Sequence, residues 1–160
     1  MIRHVTAADA EAIAEIYNWY ITNTTITFEE EPVTGDDMAA RFARVSEENP
    51  WLVLLEDGKL IGYAYAIDWK ARSAYRFSKE TTVYLHPKYY GGGRGTRLMQ
   101  ALIDEIRKTP IHVLIAGVAL PNEASVALHE KLGFRKMGQF EEVGSKFGDK
   151  VDVGYWQLIL

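Results

Sequence analysis

The sequence of 160 residues contains no cysteine. It therefore has no disulfide framework and no thiol nucleophile, which excludes an acyl-cysteine mechanism. No apolar run approaches the roughly 18 residues of a membrane span, and the first five residues are too polar and too short for a signal peptide. These absences predict a cytoplasmic protein without a membrane partner.

A surplus of positive charge is also missing. The formal net charge is −4 and the sequence pI is near 5.6, whereas a nucleic-acid-binding surface shows clustered lysine and arginine. We therefore expect no nucleic-acid partner. The length and a hydrophobic content of 48% fit one domain with a core of ordinary size, so residues 1–160 are predicted to form a single domain.

Two kinds of catalytic centre lack their signatures. The four histidines, at positions 4, 86, 112 and 129, show no metal-ligand spacing. No G-x-S-x-G elbow is present for a Ser-His-Asp hydrolase. The sequence predicts neither a metal site nor a serine hydrolase.

Glycine, by contrast, is concentrated in residues 91–95, of which Arg94 alone is not glycine. An apolar strand pattern precedes this loop and an amphipathic helix pattern follows it. Glycine permits positive φ and close approach of the backbone, so successive N–H groups at a helix start can hold an anion. The loop lacks the Gly-Lys-Ser/Thr of a P-loop, and the next strand lacks the acidic residue of a dinucleotide-binding fold. The pattern therefore predicts a phosphate-binding loop of another class.

Hydrophobic periodicity and turn residues predict the order of the helices and strands. Strands are expected at residues 2–5, 51–56, 59–69, 80–85, 111–118, 135–146 and 151–160. Helices, with their caps, are expected at residues 6–21, 34–48, 95–108 and 122–133. Asp57-Gly58 predicts a type I′ hairpin turn, and the apolar run at 111–118 predicts a strand buried on both faces. The order β α α β β β α β α β β indicates a mixed α/β (α+β) fold, with a central sheet of about seven strands flanked by four helices.

Several segments, which follow one another along nearly the whole chain, resemble a known family. The loop at 86–96 resembles the pyrophosphate-binding motif of the GCN5-related N-acetyltransferases (GNAT). Residues 122–134, an Asn-capped helix ending in Leu-Gly-Phe, resemble the next motif of that superfamily. Similarity to its phosphinothricin and methionine sulfoximine acetyltransferase subfamily extends over residues 69–75, 80–84, 143–148 and 152–157. One position departs from the superfamily pattern, because Tyr90 stands where glutamine or arginine is usual.

The resemblance implies the GNAT fold, acetyl-CoA as cosubstrate without a metal, and a homodimer. It also implies a set of residues that bind the coenzyme through main-chain and side-chain groups. These are Val83, Tyr84, Leu85, Gly91, Gly92, Gly93, Arg94, Gly95, Thr96, Asn122 and Ser125.

Glu80 is the candidate general base. An amine with a pKa of about 7.7 to 8.0 is protonated near pH 7 and must lose a proton before it attacks a thioester. On the residues alone, Glu80 is a solvated carboxylate at a strand start that pairs with Lys79 or Arg76. The resemblance instead aligns it with the glutamate proposed as general base in the subfamily, and burial would raise its pKa toward the range that this task needs.

His129 is the second catalytic candidate. In the superfamily, a tyrosine one turn after the serine of the Asn-x-x-Ser helix often protonates the leaving thiolate. His129 occupies that position here. The resemblance leaves it as general acid or as substrate contact, and the residues alone also allow a histidine that only packs.

An amino acid substrate carries a carboxylate, and phosphinothricin adds a phosphinate, so cations are expected near the acceptor. The resemblance implies that Lys70 and Arg72 provide them. It adds hydroxyl contacts from Tyr75 and Thr82 and an apolar wall from Phe28. On composition alone, these residues would form a loop of solvated charges around a core aromatic.

Three functions stay open at this point. The leading prediction is an acetyl-CoA-dependent N-acetyltransferase that acetylates a small amino acid analogue by direct transfer, with Glu80 as base. The alternatives are a protein N-terminal acetyltransferase and a catalytically silent module that senses acyl-CoA. Lys70 and Arg72 disfavour the first alternative, because peptides lack the nearby anion, and Tyr90 is the one feature that favours the second.

Overall fold

The computed structural model describes residues 1–46 and 49–160. Its strands are β1 Ile2–His4, β2 Trp51–Glu56, β3 Lys59–Asp68, β4 Ser78–Leu85, β5 Val113–Leu120, β6 Arg135–Lys146 and β7 Asp149–Ile159. Its helices are α1 Ala10–Asn23, α2 Gly35–Ser46, α3 Arg94–Ile106 and α4 Glu123–Lys131. The order matches the predicted one, so the fold-class prediction is confirmed. The predicted end of the second helix near residue 48 lies outside the described residues.

The strands form one mixed sheet in the order β1-β2-β3-β4-β5-β7-β6. Among the described strands, β4 and β5 are parallel and the other neighbouring pairs are antiparallel. The β2–β3 connection has positive φ at both Asp57 (49°) and Gly58 (75°). These angles confirm the predicted type I′ hairpin.

A hydrophobic core lies on each face of the sheet. Helices α3 and α4 pack on one face, over a cluster that includes Leu102 and Trp156. Helices α1 and α2 pack on the other face, over a cluster that includes Ile13 and Tyr63. We call these the α3/α4 face and the α1/α2 face. None of the described helices combines the length and the hydropathy that a membrane span requires.

The parallel pairing of β4 with β5 is short. It joins residues 78–80 to residues 113–115, although the two strands continue to Leu85 and Leu120. The carboxyl ends of the strands therefore separate and leave a wedge-shaped gap in the middle of the sheet. Glu80 is the last residue of β4 before this wedge opens.

The sequence predicts that strand β5 is covered on both faces, but in the structure only one face is covered. Leu114, Ala116 and Val118 are buried in the α3/α4 core, whereas Gly117, on the opposite face of the strand, is exposed. The prediction is wrong because the second face of β5 borders the wedge instead of a helix. An apolar run alone does not distinguish these two surroundings.

Helix α4 begins and ends where the sequence predicts. Asn122 caps its start, with Oδ1 accepting a hydrogen bond from the Ser125 N–H (3.2 Å). Gly133 has a φ of 94°, and the Phe134 N–H donates to the His129 carbonyl (3.0 Å), as in a Schellman turn. These contacts fix α4, and with it His129, along the α3/α4 face.

Candidate active site

A cavity of about 800 Å³ fills the wedge between β4 and β5. Its walls are the carboxyl halves of both strands, the start of α3, helix α4 and residues 26–28 of the α1–α2 connection. The predicted site residues in these walls are Phe28, Glu80, Thr82, Val83, Tyr84, Leu85, Gly91, Gly93, Arg94, Gly95, Thr96, Asn122, Ser125 and His129. Within the part of the chain that the structure describes, no group of three or more His, Cys, Asp or Glu side chains is placed to hold a metal ion.

Four predicted residues lie outside the lining of this cavity. Gly92 belongs to the glycine loop itself. Lys70, Arg72 and Tyr75 belong to the exposed segment 70–77 between β3 and β4. Lys70 acts electrostatically on Glu80, and its Nζ lies 4.8 Å from the centre of the adjacent tryptophan ring. The structure therefore brings Lys70 near Glu80 and leaves Arg72 and Tyr75 on the exposed surface of the same segment.

The main chain of β4 offers hydrogen-bond donors to the cavity. N–H and C=O groups along a strand face its two neighbours alternately. The His86 N–H donates to β3 (2.8 Å), and the Phe77 carbonyl accepts from the start of β5 (3.2 Å). The N–H and C=O groups of even-numbered residues, Tyr84 among them, therefore face β3. Val83 and Leu85 direct their N–H groups into the wedge, beyond the last β5 partner.

The glycine loop has the conformation that its sequence demands. Gly91, Gly92 and Gly93 have φ values of 83°, 65° and 72°, in the left-handed region where other residues are strained. Gly93 caps α3, and N–H groups in the first turn of a helix, here at Gly95 and Thr96, have no intrahelical acceptor. Together with the helix dipole, these N–H groups make the start of α3 suited to an anion.

The arginine side chains at the start of α3 bind a carboxylate of the protein. The Nε and Nη2 of Arg94 donate to the two oxygens of Glu56 at 2.9 and 3.0 Å, and Arg97 donates to the same carboxylate at 3.4 Å. This pairing ties the loop to the end of β2. Gly95 is packed closely, because a Cβ there would lie 2.7 Å from the Cδ1 of Leu128 in α4. The groups that this loop leaves available to an anion are therefore mainly main-chain N–H groups.

Tyr90, the departure from the superfamily pattern, anchors the glycine loop. Its hydroxyl bonds that of Tyr20 in α1, and the Tyr20 hydroxyl donates to the Leu85 carbonyl (2.5 Å). Because Tyr20 has one proton to give, Tyr90 is the donor in their shared hydrogen bond. Tyr90 thus joins the start of the loop to α1 and to the end of β4.

Glu80 is a half-buried carboxylate in the cavity wall. Burial raises its pKa above the ordinary value, and the positive charge of Lys70 offsets part of that effect. Lys79 pairs with Asp68 on β3, and Arg76 donates to a carbonyl of its own segment (3.0 Å). The pairing of Glu80 with one of these two cations, which the residues alone suggest, is therefore wrong. A half-buried carboxylate with a raised pKa has the properties that a general base needs.

His129 is held in one orientation on α4. Its side chain is buried and packs edge-on against the Phe134 ring, with ring centres 5.1 Å apart. Nδ1 lies 2.7 Å from the Ser125 carbonyl oxygen, which can only accept, so Nδ1 carries the proton. Burial lowers the pKa of the imidazole, and the hydrogen bond to Ser125 offsets part of that effect. Near pH 7, His129 is neutral and Nε2 carries the lone pair.

Sequence reasoning missed several polar groups in the wall, among them the hydroxyl of Thr81. Thr81 lines the cavity and is 5% exposed, and its Oγ1 has no hydrogen-bond partner among the described residues. Its side chain points to the α3/α4 face, opposite to those of Glu80 and Thr82. This direction can be assigned only once the register of β4 is known. Because an unpaired buried hydroxyl is costly, Thr81 is a candidate partner for a molecule bound on that face.

Comparison with known proteins agrees with this geometry. Residues 2–154 match the family model described as an acetyltransferase (GNAT) domain. The L-methionine sulfoximine/L-methionine sulfone acetyltransferase of Salmonella typhimurium is 39% identical, over 99% of this chain and 94% of that protein.

Two solved structures are similar to this chain in both fold and sequence. A GNAT superfamily phosphinothricin acetyltransferase from Sinorhizobium meliloti, crystallised in complex with acetyl-CoA, has a TM-score of 0.97 and 35% identity, over 100% of this chain and 88% of that one. A ribosomal-protein-alanine N-acetyltransferase from Brucella melitensis has a TM-score of 0.97 and 37% identity, over 100% and 99% of the two chains. Sequence, fold and cavity therefore agree, and the chain belongs to the GNAT family of acetyltransferases.

Proposed function

We propose that the protein transfers the acetyl group of acetyl-CoA to the amino group of a small amino acid analogue, of the phosphinothricin, methionine sulfoximine or methionine sulfone type. The observation that carries the proposal is the wedge, because it gathers the glycine loop, the N–H groups of β4 and a half-buried carboxylate in one cavity. The names of the similar proteins support the choice of coenzyme and acceptor. Such a reaction would detoxify herbicide-like and antibiotic-like amino acids.

The cavity has the groups that coenzyme A needs. Its diphosphate would bind the N–H groups of Gly93, Gly95 and Thr96 at the start of α3. Its pantetheine arm would bond the N–H groups of Val83 and Leu85, which satisfies main-chain groups that are costly to leave unpaired. Acetyl-CoA supplies a thioester-activated acyl group, and a β4 N–H that the rest of the arm leaves free would stabilise negative charge that develops on its carbonyl oxygen.

Asn122 and Ser125 play a smaller part in this proposal. The Oδ1 of Asn122 accepts the Ser125 N–H at the start of α4, so the amide NH₂ of Asn122 is the group that remains for the pantetheine arm. The hydroxyl of Ser125 lies 3.3 Å from Nδ1 of His129. We propose that Ser125 orients the histidine and that Asn122 contacts the coenzyme.

Glu80 would accept, through a water molecule, the proton that the acceptor ammonium must lose. Its side chain points to the α1/α2 face, as those of Thr82 and Tyr84 do, because residues two apart in a strand point the same way. The glycine loop and α4 lie toward the opposite face, so acceptor and coenzyme would approach the wedge from different sides. The raised pKa of Glu80 brings the basicity of the carboxylate closer to that of an amine.

His129 would act as a neutral imidazole. Because Nδ1–H is bonded to the Ser125 carbonyl, Nε2 can accept a hydrogen bond or a proton but has none to give. To protonate the leaving sulfur, it must first take up a proton, and the acceptor nitrogen releases one when it is acylated. We therefore propose that His129 passes a proton from the acceptor nitrogen to the leaving sulfur, and that it is not charged beforehand.

Recognition of the acceptor is proposed for residues around the α1/α2 face. Phe28 and Thr82 line the cavity and would contact the acceptor directly. Lys70, close to Glu80, and the exposed Arg72 would attract its carboxylate and its phosphinate or sulfoximine group. Tyr75 would add a hydroxyl contact from the same segment.

We further propose that the protein is a cytoplasmic homodimer, in which the exposed apolar side chains of edge strand β6, such as Phe140 and Val143, are covered.

A protein N-terminal acetyltransferase is the second candidate, because a similar structure is named a ribosomal-protein-alanine N-acetyltransferase. We expect coenzyme A release with methionine sulfoximine to exceed that with an alanine-starting peptide by at least about tenfold in kcat/KM, since the peptide offers no anion to Lys70 and Arg72. Steady-state kinetics with both acceptors measures this ratio. A higher kcat/KM for the peptide would reverse the choice, and no turnover with either acceptor, together with tight coenzyme binding, would favour an acyl-CoA sensor.

Replacing Gly93 by alanine tests the diphosphate site. Alanine at a φ of 72° is strained, and relief of that strain would redirect the N–H groups of the loop. We expect the Kd for coenzyme A, measured by titration calorimetry, to rise by at least about tenfold. Gly58→Ala is the matched control, because Gly58 has a φ of 75° and a Cβ there would meet no atom within 4 Å, yet it lies in the β2–β3 turn. Equal Kd values for the two variants would contradict the assignment.

Replacing Glu80 by glutamine tests the base. Because the carboxylate must be ionised to accept a proton and burial raises its pKa, the wild-type kcat/KM should fall as the pH drops through that raised value. Glu80→Gln should lose this dependence and about 10²- to 10⁴-fold in kcat/KM, with unchanged affinity for coenzyme A. Glu130→Gln, on the exposed side of α4, is the control. A Glu80→Gln rate within threefold (about 0.65 kcal/mol) of wild type from pH 6 to 8 would exclude Glu80 as the base.

A further inference from the structure

Strand β6 holds the α1–α2 connection, residues 24–34, across the wedge. The ring of Phe28, in this connection, lines the cavity and lies against Gly144 of β6. A Cβ at residue 144 would lie 2.2 Å from the Cζ and 2.5 Å from the Cε2 of Phe28. The absence of a side chain at Gly144 is therefore what makes room for the ring in its present position.

Lys146, two residues further along β6, holds the same connection by a hydrogen bond. Its side chain is 2% exposed, and its Nζ donates to the Thr27 carbonyl (2.8 Å). Burial lowers the pKa of Lys146, and the negative charge of Glu30 offsets part of that effect. Methionine would fill a similar volume without the cost of dehydrating an ammonium group. Packing alone therefore gives no reason for a lysine at this position.

The residues on either side of Phe28 are bonded to α1 and α2. The Thr27 hydroxyl bonds the Tyr17 hydroxyl (2.8 Å). Glu29 accepts two hydrogen bonds from Arg41, at 2.7 and 2.6 Å, and one from Tyr17. The helices thus fix one side of the connection, and Gly144 with Lys146 fixes the other, so the Phe28 ring is the part held between them.

We infer that Gly144 and Lys146 are positioning residues of the acceptor site. They hold the Phe28 ring on the α1/α2 face of the wedge, the face to which Glu80 and Thr82 point, and so shape the space that an acceptor side chain enters. This inference rests on the proposed function, which places the acceptor on that face. It gives a physical role to the segment 143–148, which the resemblance singles out and the mechanism does not use.

Lys146→Met and Gly144→Ala test the inference with matched controls on the same hairpin. Lys150→Met removes an exposed lysine, and Gly138→Ala adds a Cβ that meets no atom within 4 Å. We expect both test variants to raise the KM for methionine sulfoximine by at least about tenfold, to leave the KM for acetyl-CoA within twofold (about 0.4 kcal/mol), and to speed hydrogen exchange in residues 24–34. Both controls should match the wild type.

Three outcomes would overturn the inference. Unchanged acceptor KM and hydrogen exchange in both test variants would show that the connection does not need β6. A parallel rise of the acceptor KM and the acetyl-CoA KM would indicate general loosening of the fold, as would failure of both variants to fold. If one variant fails to fold, the other decides. If the wild type does not turn over the acceptor, the proposed function fails, and the hydrogen-exchange comparison still decides whether Gly144 and Lys146 hold the connection.

Discussion

The early end of one strand pairing is the constraint on which the site depends. Strands β4 and β5 pair in parallel up to Glu80 and Ile115, and beyond that point their facing main-chain groups need other partners. The amides of a pantetheine arm can provide them, much as a further strand would. The same divergence leaves a half-buried carboxylate where the wedge begins. In the proposed function, coenzyme binding and proton removal therefore both follow from a single feature of the sheet.

The electrostatic environment of the cavity is set by nearby groups and not by the net charge of the protein, and most of these groups are uncharged. The protein has a net charge of −4, and Arg94 and Arg97 in the first turn of α3 both donate to Glu56. The groups that can still bind an anion there are the main-chain N–H groups of the left-handed glycines and of the first turn of α3. On the other face of the wedge, the pKa of Glu80 is raised by loss of water and only partly lowered by Lys70. The two faces thus suit an anionic coenzyme and a protonated amine, respectively.

The parts of the structure that local chemistry determines could be predicted from the sequence. Turn and cap residues such as Gly58, Asn122 and Gly133 mark where elements begin and end, so the element order and the glycine loop were predictable. The wedge was not, because an apolar run looks the same beside a helix as beside a cavity. Contacts between distant segments were also out of reach: Lys146 and Thr27 are 119 positions apart, and no spacing rule links them. The site residues taken from the resemblance mostly line one cavity, but only the fold shows that Lys70, Arg72, Tyr75 and Gly92 do not.

Amide hydrogen exchange, resolved residue by residue by NMR with and without coenzyme A, shows whether the coenzyme lies in the wedge between β4 and β5. If the coenzyme occupies the wedge as a strand would, exchange should slow at Val83, Leu85 and the loop residues 93–96. Exchange at Tyr84, whose N–H already faces β3, should change little. If the coenzyme binds and Val83 and Leu85 exchange as fast as before, the coenzyme does not occupy the wedge as a strand would.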